Sequence, residues 1–454
     1  VGKILQPSEL LMCSDGCKIF PTFSLALFFF PSLLLGNGIN RNGIGAKAIS
    51  MGGASAADVS DTFAATTQNP ALLGFSVSDD LALGLTGVIA SAEFRNGTSS
   101  VGLLDDRAGV IPEIAVRKLL RDDLVFGFSL VSEQARVADW VFEDKPGGAS
   151  GITSYGRRSH HSEIIGVRGA LSLGWKISNQ LSVGAGIGTV YNRNSLNSPY
   201  TFQSHPTLAG FKTLLDLETE GFGMNGDLGV TWRPSEDLTL ALGYRTVTRI
   251  DTHGTATGDI SRQFDDLGLN QVPGHFGYDA RVENTLPDRL TAGLSWRATD
   301  RTRLAIQADW TGWADAFDDL TVNLREGTNS SINGLLKSNA IDDTIPLKWQ
   351  DTVTLRFGLE HEIAADWFIR GGYSYGASPV PDETALPMTA AISEHTLGIG
   401  MGHVRGPFRI DLAYQIDLPS SRTLDQSIIR SGEFEGSQIE LEAHWIALTV
   451  GYEF

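Results

Sequence analysis

No stretch of this sequence is apolar for long enough to cross a bilayer as a helix, which takes roughly 20 residues. The longest candidate, Pro21 to Leu35, is fifteen residues interrupted by Pro31, so a helical membrane bundle is excluded. Cysteine is nearly absent, with only Cys13 and Cys17. A C-x-x-x-C pair with no histidine nearby lacks the donor set of a zinc site. No lipobox-like small residue precedes Cys13, as a lipoprotein would require. Basic residues are the minority, 35 Lys and Arg against 53 Asp and Glu, for a net charge of −18. Nucleic acid is thereby a poor partner, since phosphates demand a basic face.

Pro21–Leu35 has the length of the h-region of a signal peptide, with Lys18 supplying the positive flank and Gly36-Asn37-Gly38 a small-residue cleavage region. Residues 1–38 are therefore expected to be a signal peptide with upstream residues; a buried N-terminal helix is the alternative. Both cysteines precede the h-region, so a processed chain would carry none.

What the sequence has in abundance is alternation with a period of two, because successive strand side chains point to opposite faces. Ile165, Val167, Leu171, Leu173, Trp175 and Ile177 alternate with Arg168, Ser172 and Lys176. Val353, Leu355, Phe357 and Leu359 alternate with Thr352, Thr354, Arg356 and Glu360, and Phe408 to Ile416 with Arg409, Asp411 and Gln415. The last segment places Ile446, Leu448, Val450, Tyr452 and Phe454 on one face.

A soluble β-sandwich also alternates, and three features distinguish a membrane barrel. Short connectors near 120–123, 178–180, 234–237, 298–301, 362–366 and 404–407 take turns with long ones near 94–109, 138–161, 195–221, 251–285, 314–349, 377–393 and 418–437. Short periplasmic turns on one rim and long extracellular loops on the other are the pattern of outer-membrane barrels. Trp175, Trp232 and Trp296 enter matching short turns and Trp367 leaves one, as an aromatic girdle requires. The chain ends in an aromatic, Phe454, on an alternating strand. Thirteen connectors join fourteen strands. In lipid every backbone amide must be paired, so the strands must close with no free edge. The expected fold is all-β, a transmembrane antiparallel barrel over 79–454, in the outer membrane, with both termini on the periplasmic side.

Residues 39–78 break the alternation. They read Gly43-Ile-Gly45, Gly52-Gly-Ala54 and Gln68-Asn69-Pro70-Ala71, too poor in large apolar residues for a domain of their own. A fourteen-stranded barrel leaves a lumen wide enough for a plug, and this segment is the expected one.

These glycine motifs and Asn69-Pro70-Ala71 resemble the FadL/TodX family of outer-membrane channels for long-chain fatty acids and hydrocarbons. The resemblance continues through Phe222-Gly-Met-Asn-Gly-Asp-Leu-Gly229, Trp232-Arg-Pro234, Asp309-Trp-Thr-Gly-Trp313 with Leu320-Thr-Val322, and Arg356-Phe-Gly358. Its most specific part is Arg370-Gly-Gly-Tyr-Ser-Tyr375 with Ser378-Pro-Val-Pro-Asp382. Leu386-Pro387 is followed by Met388 where the family often has Asp. The resemblance implies a hatch marked by Asn69, Pro70 and Ala71, and lateral release of the ligand through a gap in the wall.

The residues themselves point to binding rather than chemistry. Neither a nucleophile elbow nor a phosphate-loop lysine is present, so no enzyme and no cofactor are expected. His160-His161 lacks a third ligand at metal spacing. The stretch His205 to Asp216 has helical spacing, with Leu208, Phe211, Leu214 and Leu215 on one apolar face, and is the expected outer ligand groove. The loop at Leu335-Leu336 is a second candidate, while Ile39 and Phe63 of the plug are expected to reach the inner pocket. The expected partners are a long-chain fatty acid or hydrocarbon ligand together with outer-membrane lipid and lipopolysaccharide, around a monomeric barrel. A general porin, an adhesin, a structural barrel and an outer-membrane phospholipase are the alternatives.

Overall fold

The alternating segments are strands in the computed structural model, which describes residues 38–97, 101–104, 109–389, 391–430 and 434–454. The expected signal segment lies outside the described residues, apart from Gly38. Among the described residues fourteen strands run in chain order, each antiparallel to its neighbours. The first six are Asp80–Arg95, Gly109–Arg121, Leu124–Asp144, Gly156–Lys176, Leu181–Thr201 and Lys212–Trp232. The next four each run in two pieces: Leu238–Arg245 with Thr248–Asp259, His275–Leu286 with Arg289–Thr299, Thr302–Thr311 with Asp319–Arg325, and Ile341–Pro346 with Thr352–Ala364. Trp367–Gly376, His395–Arg405, Phe408–Leu424 and Ser437–Glu453 complete the set. The last strand pairs with the first, from Asp80↔Glu453 to Arg95↔Gln438. The sheet is thus closed, and neither of these strands keeps a free edge for lipid to face.

The outward faces mark the membrane. On the sixth strand Phe222, Met224, Leu228, Val230 and Trp232 are exposed while Asn225, Asp227 and Thr231 are buried in the lumen. Such a continuous apolar exterior is unaffordable in water and stable against lipid chains. Ten residues at about 3.3 Å each, tilted by roughly 40°, rise about 25 Å, the height of the apolar band of such barrels. Beyond Phe222 the same face turns acidic at Glu220, Glu218 and Asp216. At the short-turn rim Trp175, Trp232, Trp296 and Trp367 all face outward, forming the girdle read from the sequence.

Several strands run further than the sequence suggested. The third to sixth reach 21 residues each, and the expected long connector 195–221 shrinks to 202–211. The predicted helix over 205–216 does not form. Leu215 and Leu217 point inward while Asp216 and Glu218 point outward, a period of two, and the backbone from Lys212 onward pairs with Thr201 and its predecessors. Partnering a whole ladder outweighs an isolated helical turn, because a short helix alone is marginal.

Candidate functional site

Residues 38–75 lie inside the barrel and include two short helices, Ala46–Ser50 and Thr62–Thr67, and a 3₁₀ turn, Pro70–Phe75. Asn69 starts that turn. Its side-chain oxygen accepts from the Ala71 amide at 3.0 Å, and Pro70 occupies the first position, where its missing N–H costs nothing. The other end of the Asn69 amide donates to Thr231 Oγ1 at 3.2 Å and to the Val230 carbonyl at 3.4 Å. Ser182 Oγ donates to the Ala71 carbonyl at 2.8 Å. One triplet therefore grips both the fifth and the sixth strand.

Close approach is possible because the wall beneath it is glycine. A Cβ on Gly184 would lie 2.3 Å from the Pro70 carbonyl carbon, and one on Gly229 would lie 2.0 Å from Asn69 Oδ1. At Gly174 it would meet Gly74 N at 2.6 Å, and at Gly243 the Gln68 carbonyl at 2.8 Å. Four strands thus contribute a floor without side chains that takes the imprint of the turn. Phe63, by contrast, packs with Ala82, Ala115 and Val131 at the wall.

The rest of the segment is held by charge. Lys47 pairs with Asp58 at 2.9 Å, Asp58 with Arg303 at 2.7 Å, and Arg303 with Glu360 at 3.1 Å. Burial alone would push the Asp58 carboxyl up, but Arg303 and Lys47 beside it hold it well below the usual range. Gln307 Oε1 accepts from the amides of Ser55 and Ala56 at 3.0 and 2.9 Å.

Arg41 occupies a different place. The second and third strands pair from Arg121↔Leu124 to Ile114↔Leu130. Pairing with the third strand resumes only at Leu104↔Trp140, on the short piece Val101–Leu104. Among the described residues, 109–113 have no partner on the third strand, although their pairing to the first strand is intact. The third strand is bulged there, between Ser132 and Gln134. Arg41 spans this lapse: its guanidinium pairs with Glu113 on the second strand and donates to the Ser132 carbonyl on the third at 3.0 Å. Its own amide donates to the Glu133 carbonyl, and Asn40 bridges to Gln134.

Toward the long-loop rim the lumen becomes apolar. A cavity of about 200 Å³ is lined by Ile39, Leu215, Leu217, Val282, Leu286, Phe317, Trp349, Met388 and Phe434, among others. Trp349 stacks on Phe317 with centroids 4.5 Å apart and meets Trp313 at 5.1 Å. Glu163 and Asp343 are the charged residues of the lining, with no cation among them. The Asp343 carboxylate is occupied, accepting from Tyr200 Oη at 2.5 Å and from the amides of Ser204 and His205 at 2.6 and 3.0 Å.

Ile39 and Leu215 of the expected ligand residues therefore line this cavity. Leu208 and Phe211 pack instead in a neighbouring apolar group with Ile260, Phe264 and Phe276. Leu214 lies on the sixth strand, opposite Pro199. Leu335 is exposed on a helix, Ser330–Leu336, while Leu336 packs on the same neighbouring group. His160 stacks on Phe142 at 3.6 Å, and His161 pairs with Asp139 at 2.5 Å. Sequence reasoning missed Val282, Leu286, Phe317 and Trp349, whose spacing along separate strands gives no local signal.

A closed barrel with an apolar exterior, an obstructed lumen and an apolar cavity above the obstruction defines an outer-membrane transport channel. The chain belongs to the family described as outer membrane protein transport protein (OMPP1/FadL/TodX), whose model matches residues 35–454. Its members are transport channels, not enzymes. The fold is shared with a Pseudomonas aeruginosa FadL homologue, 17% identical, with a TM-score of 0.72 over 92% of this chain and 100% of that one. It is shared too with the P. putida toluene transporter TodX, 20% identical, with a TM-score of 0.71 over 91% and 99%. Alkane uptake protein A of Marinobacter nauticus is 24% identical over 207 residues, a match spanning 42% of each protein.

Proposed function

We propose that this channel takes up hydrophobic compounds, long-chain fatty acids or hydrocarbons, into the apolar cavity and releases them sideways into the membrane. Residues 39–78 act as the hatch, with Asn69, Pro70 and Ala71 as its anchor. The termini face the periplasm, and the outward girdles contact lipid and lipopolysaccharide.

One observation carries this reading. Ile39, Leu286 and Trp349 of the cavity belong to the same buried apolar cluster as Ile111, Ala138 and Trp140, which flank the lapse between the second and third strands. An apolar molecule can travel over such a surface without meeting water, and each methylene it keeps dry is worth about 0.8 kcal/mol. Arg41 and the pairing of Asn40 with Gln134 close the lapse at its inner side. The relatives point the same way, one named for alkane uptake and one for toluene transport.

The test is uptake of a fluorescent apolar probe by proteoliposomes containing wild type or a protein with a disulfide engineered between the second and third strands at the lapse. Saturable uptake that the cross-link abolishes and reduction restores supports lateral release. Uptake unaffected by the cross-link favours passage straight down the lumen, and permeation by small sugars without saturable probe binding favours a general porin.

A further inference from the structure

The upper, apolar cavity has one patch of neutral amides in its wall. Asn192 and Asn194 of the fifth strand and Asn284 of the eighth line it there, next to Leu286. Between those strands stand Thr219 of the sixth and Thr252 of the seventh, 2% and 0% exposed.

Backbone carbonyls only accept, and they fix how the three amides are turned. Asn192 Nδ2 donates to the Ile165 carbonyl at 3.0 Å. Asn192 Oδ1 is therefore the atom that meets Asn194, whose Nδ2 donates to it at 3.0 Å. Asn284 Nδ2 donates to the Val282 carbonyl at 3.4 Å and to Thr252 Oγ1 at 3.1 Å. Asn194 Nδ2 reaches the same hydroxyl at 3.5 Å, so the two amides stand side by side around one atom. Both use their N–H groups inside the wall. Among the described residues no donor reaches Oδ1 of Asn194 or of Asn284, and both side chains are half-buried against the cavity. The wall thus offers a pair of neutral acceptors in apolar surroundings, where an acceptor left unmet is costly.

We propose that this patch is a hydroxyl subsite, holding a hydrocarbon that carries one neutral O–H, an alcohol. The O–H donates to the oxygens of Asn194 and Asn284, and the hydrocarbon body lies against Leu286, Phe317 and Trp349. This rests on the transport reading above and adds to it a substrate class. An ether or an ionised carboxylate brings only acceptors, which two amide oxygens repel, and the cavity lining holds no cation to offset them.

The experiment measures 1-octanol, 1-methoxyoctane and octanoate on the purified barrel by calorimetry at about pH 8, where the acid is ionised. Octanol is expected to bind about tenfold tighter than its methyl ether, a ratio equal to about 1.4 kcal/mol. Octanoate should bind no tighter than the ether. Asn194→Leu and Asn284→Leu should each bring the ratio below about threefold by weakening the alcohol. Heat-modifiable migration on a gel confirms that each variant retains its barrel, and the wild-type comparison stands alone if one does not. Equal affinity of alcohol and ether in the wild type, or octanoate binding tighter than both, overturns the hydroxyl subsite while leaving the channel reading intact. A ratio that survives both substitutions in folded protein overturns its placement at these amides. Failure of all three compounds to bind overturns the channel reading itself.

Discussion

Asn69 and Gly229 touch so closely that the side-chain oxygen of one fills the place where a Cβ of the other would stand, 2.0 Å away. The cap of the 3₁₀ turn and the wall of the sixth strand are thus a single fitted joint. Replacing Gly229 by Ala must push the turn off the wall, because backbone hydrogen-bonded into a ladder yields less than a loop. The expected result is a barrel that still forms, with the docking of residues 68–75 weakened by about 1–3 kcal/mol. Hydrogen exchange should show faster exchange in that turn alone. Gly371→Ala, at a position with nothing within 4 Å of the added methyl, is the control and should leave exchange unchanged.

Arg41 and Glu113 form a buried pair at the lapse in the wall, with side chains 2% and 0% exposed. Removing one partner of such a pair strands the other charge and typically costs 3–5 kcal/mol. Glu113→Gln and Arg41→Met should each raise the conductance of single channels in planar bilayers and speed probe release. The double variant should be less perturbed than the sum of the two singles. Purely additive effects would separate the pair from the gate.

Asp61 caps the helix Thr62–Thr67, accepting from the amides of Phe63 and Ala64 at 3.0 and 3.4 Å. Burial, and then the neighbouring Asp58 carboxylate, raise its carboxyl from 3.8 to about 6, against the opposing pull of Lys47 and Arg409. The docked segment therefore binds a proton that a released one would lose between pH 3.8 and 6. Docking is strongest on the acid side of that window and weakens as the pH rises through it. Asp58 works in the opposite sense, its contribution disappearing only at lower pH, so the two do not cancel above pH 4. Protection of residues 45–66 in hydrogen exchange should fall between about pH 4 and 6 and level off above that. Asp61→Asn keeps the cap and should flatten that dependence; an unchanged slope would assign it to another group.

Leu286 lines both the apolar cavity and a smaller space of about 50 Å³ that is also lined by Arg41, Arg289 and Asp309. Leu286→Trp should narrow any passage from one space to the other without adding charge. A neutral hydrocarbon probe is expected to keep its affinity within about threefold, since volume in the upper cavity is little changed, while vesicle uptake drops sharply. Equal loss of binding and uptake would place the block in the upper cavity instead.

Much of this architecture was legible one residue at a time. Alternation along Phe222–Trp232 or Ile446–Phe454 reports a face in lipid because each side chain's environment follows from its parity. Asn69-Pro70 was legible as the start of a turn for a similarly local reason. Its receptor was not. Gly174, Gly184, Gly229 and Gly243 come together only through the register of four strands, and a missing side chain announces nothing about what rests on it. The stretch Leu208 to Leu217 misled because Leu208, Phe211 and Leu215 satisfy helical spacing while Leu215 and Leu217 satisfy strand spacing; ladder partners decided between them. The lapse near Glu133 was hidden for a related reason, since a bulge adds one residue without disturbing the look of the flanking pattern.

The acidic upper half of the sixth strand has a consequence for where capture happens. From Phe222 the strand continues ten residues to Lys212, a further rise of roughly 25 Å at the same tilt. In the proposed orientation, with both termini periplasmic, that height carries the rim outward beyond the apolar band. The wall there works as a chimney. Under the proposed uptake function, a ligand captured at that mouth is met above the apolar band.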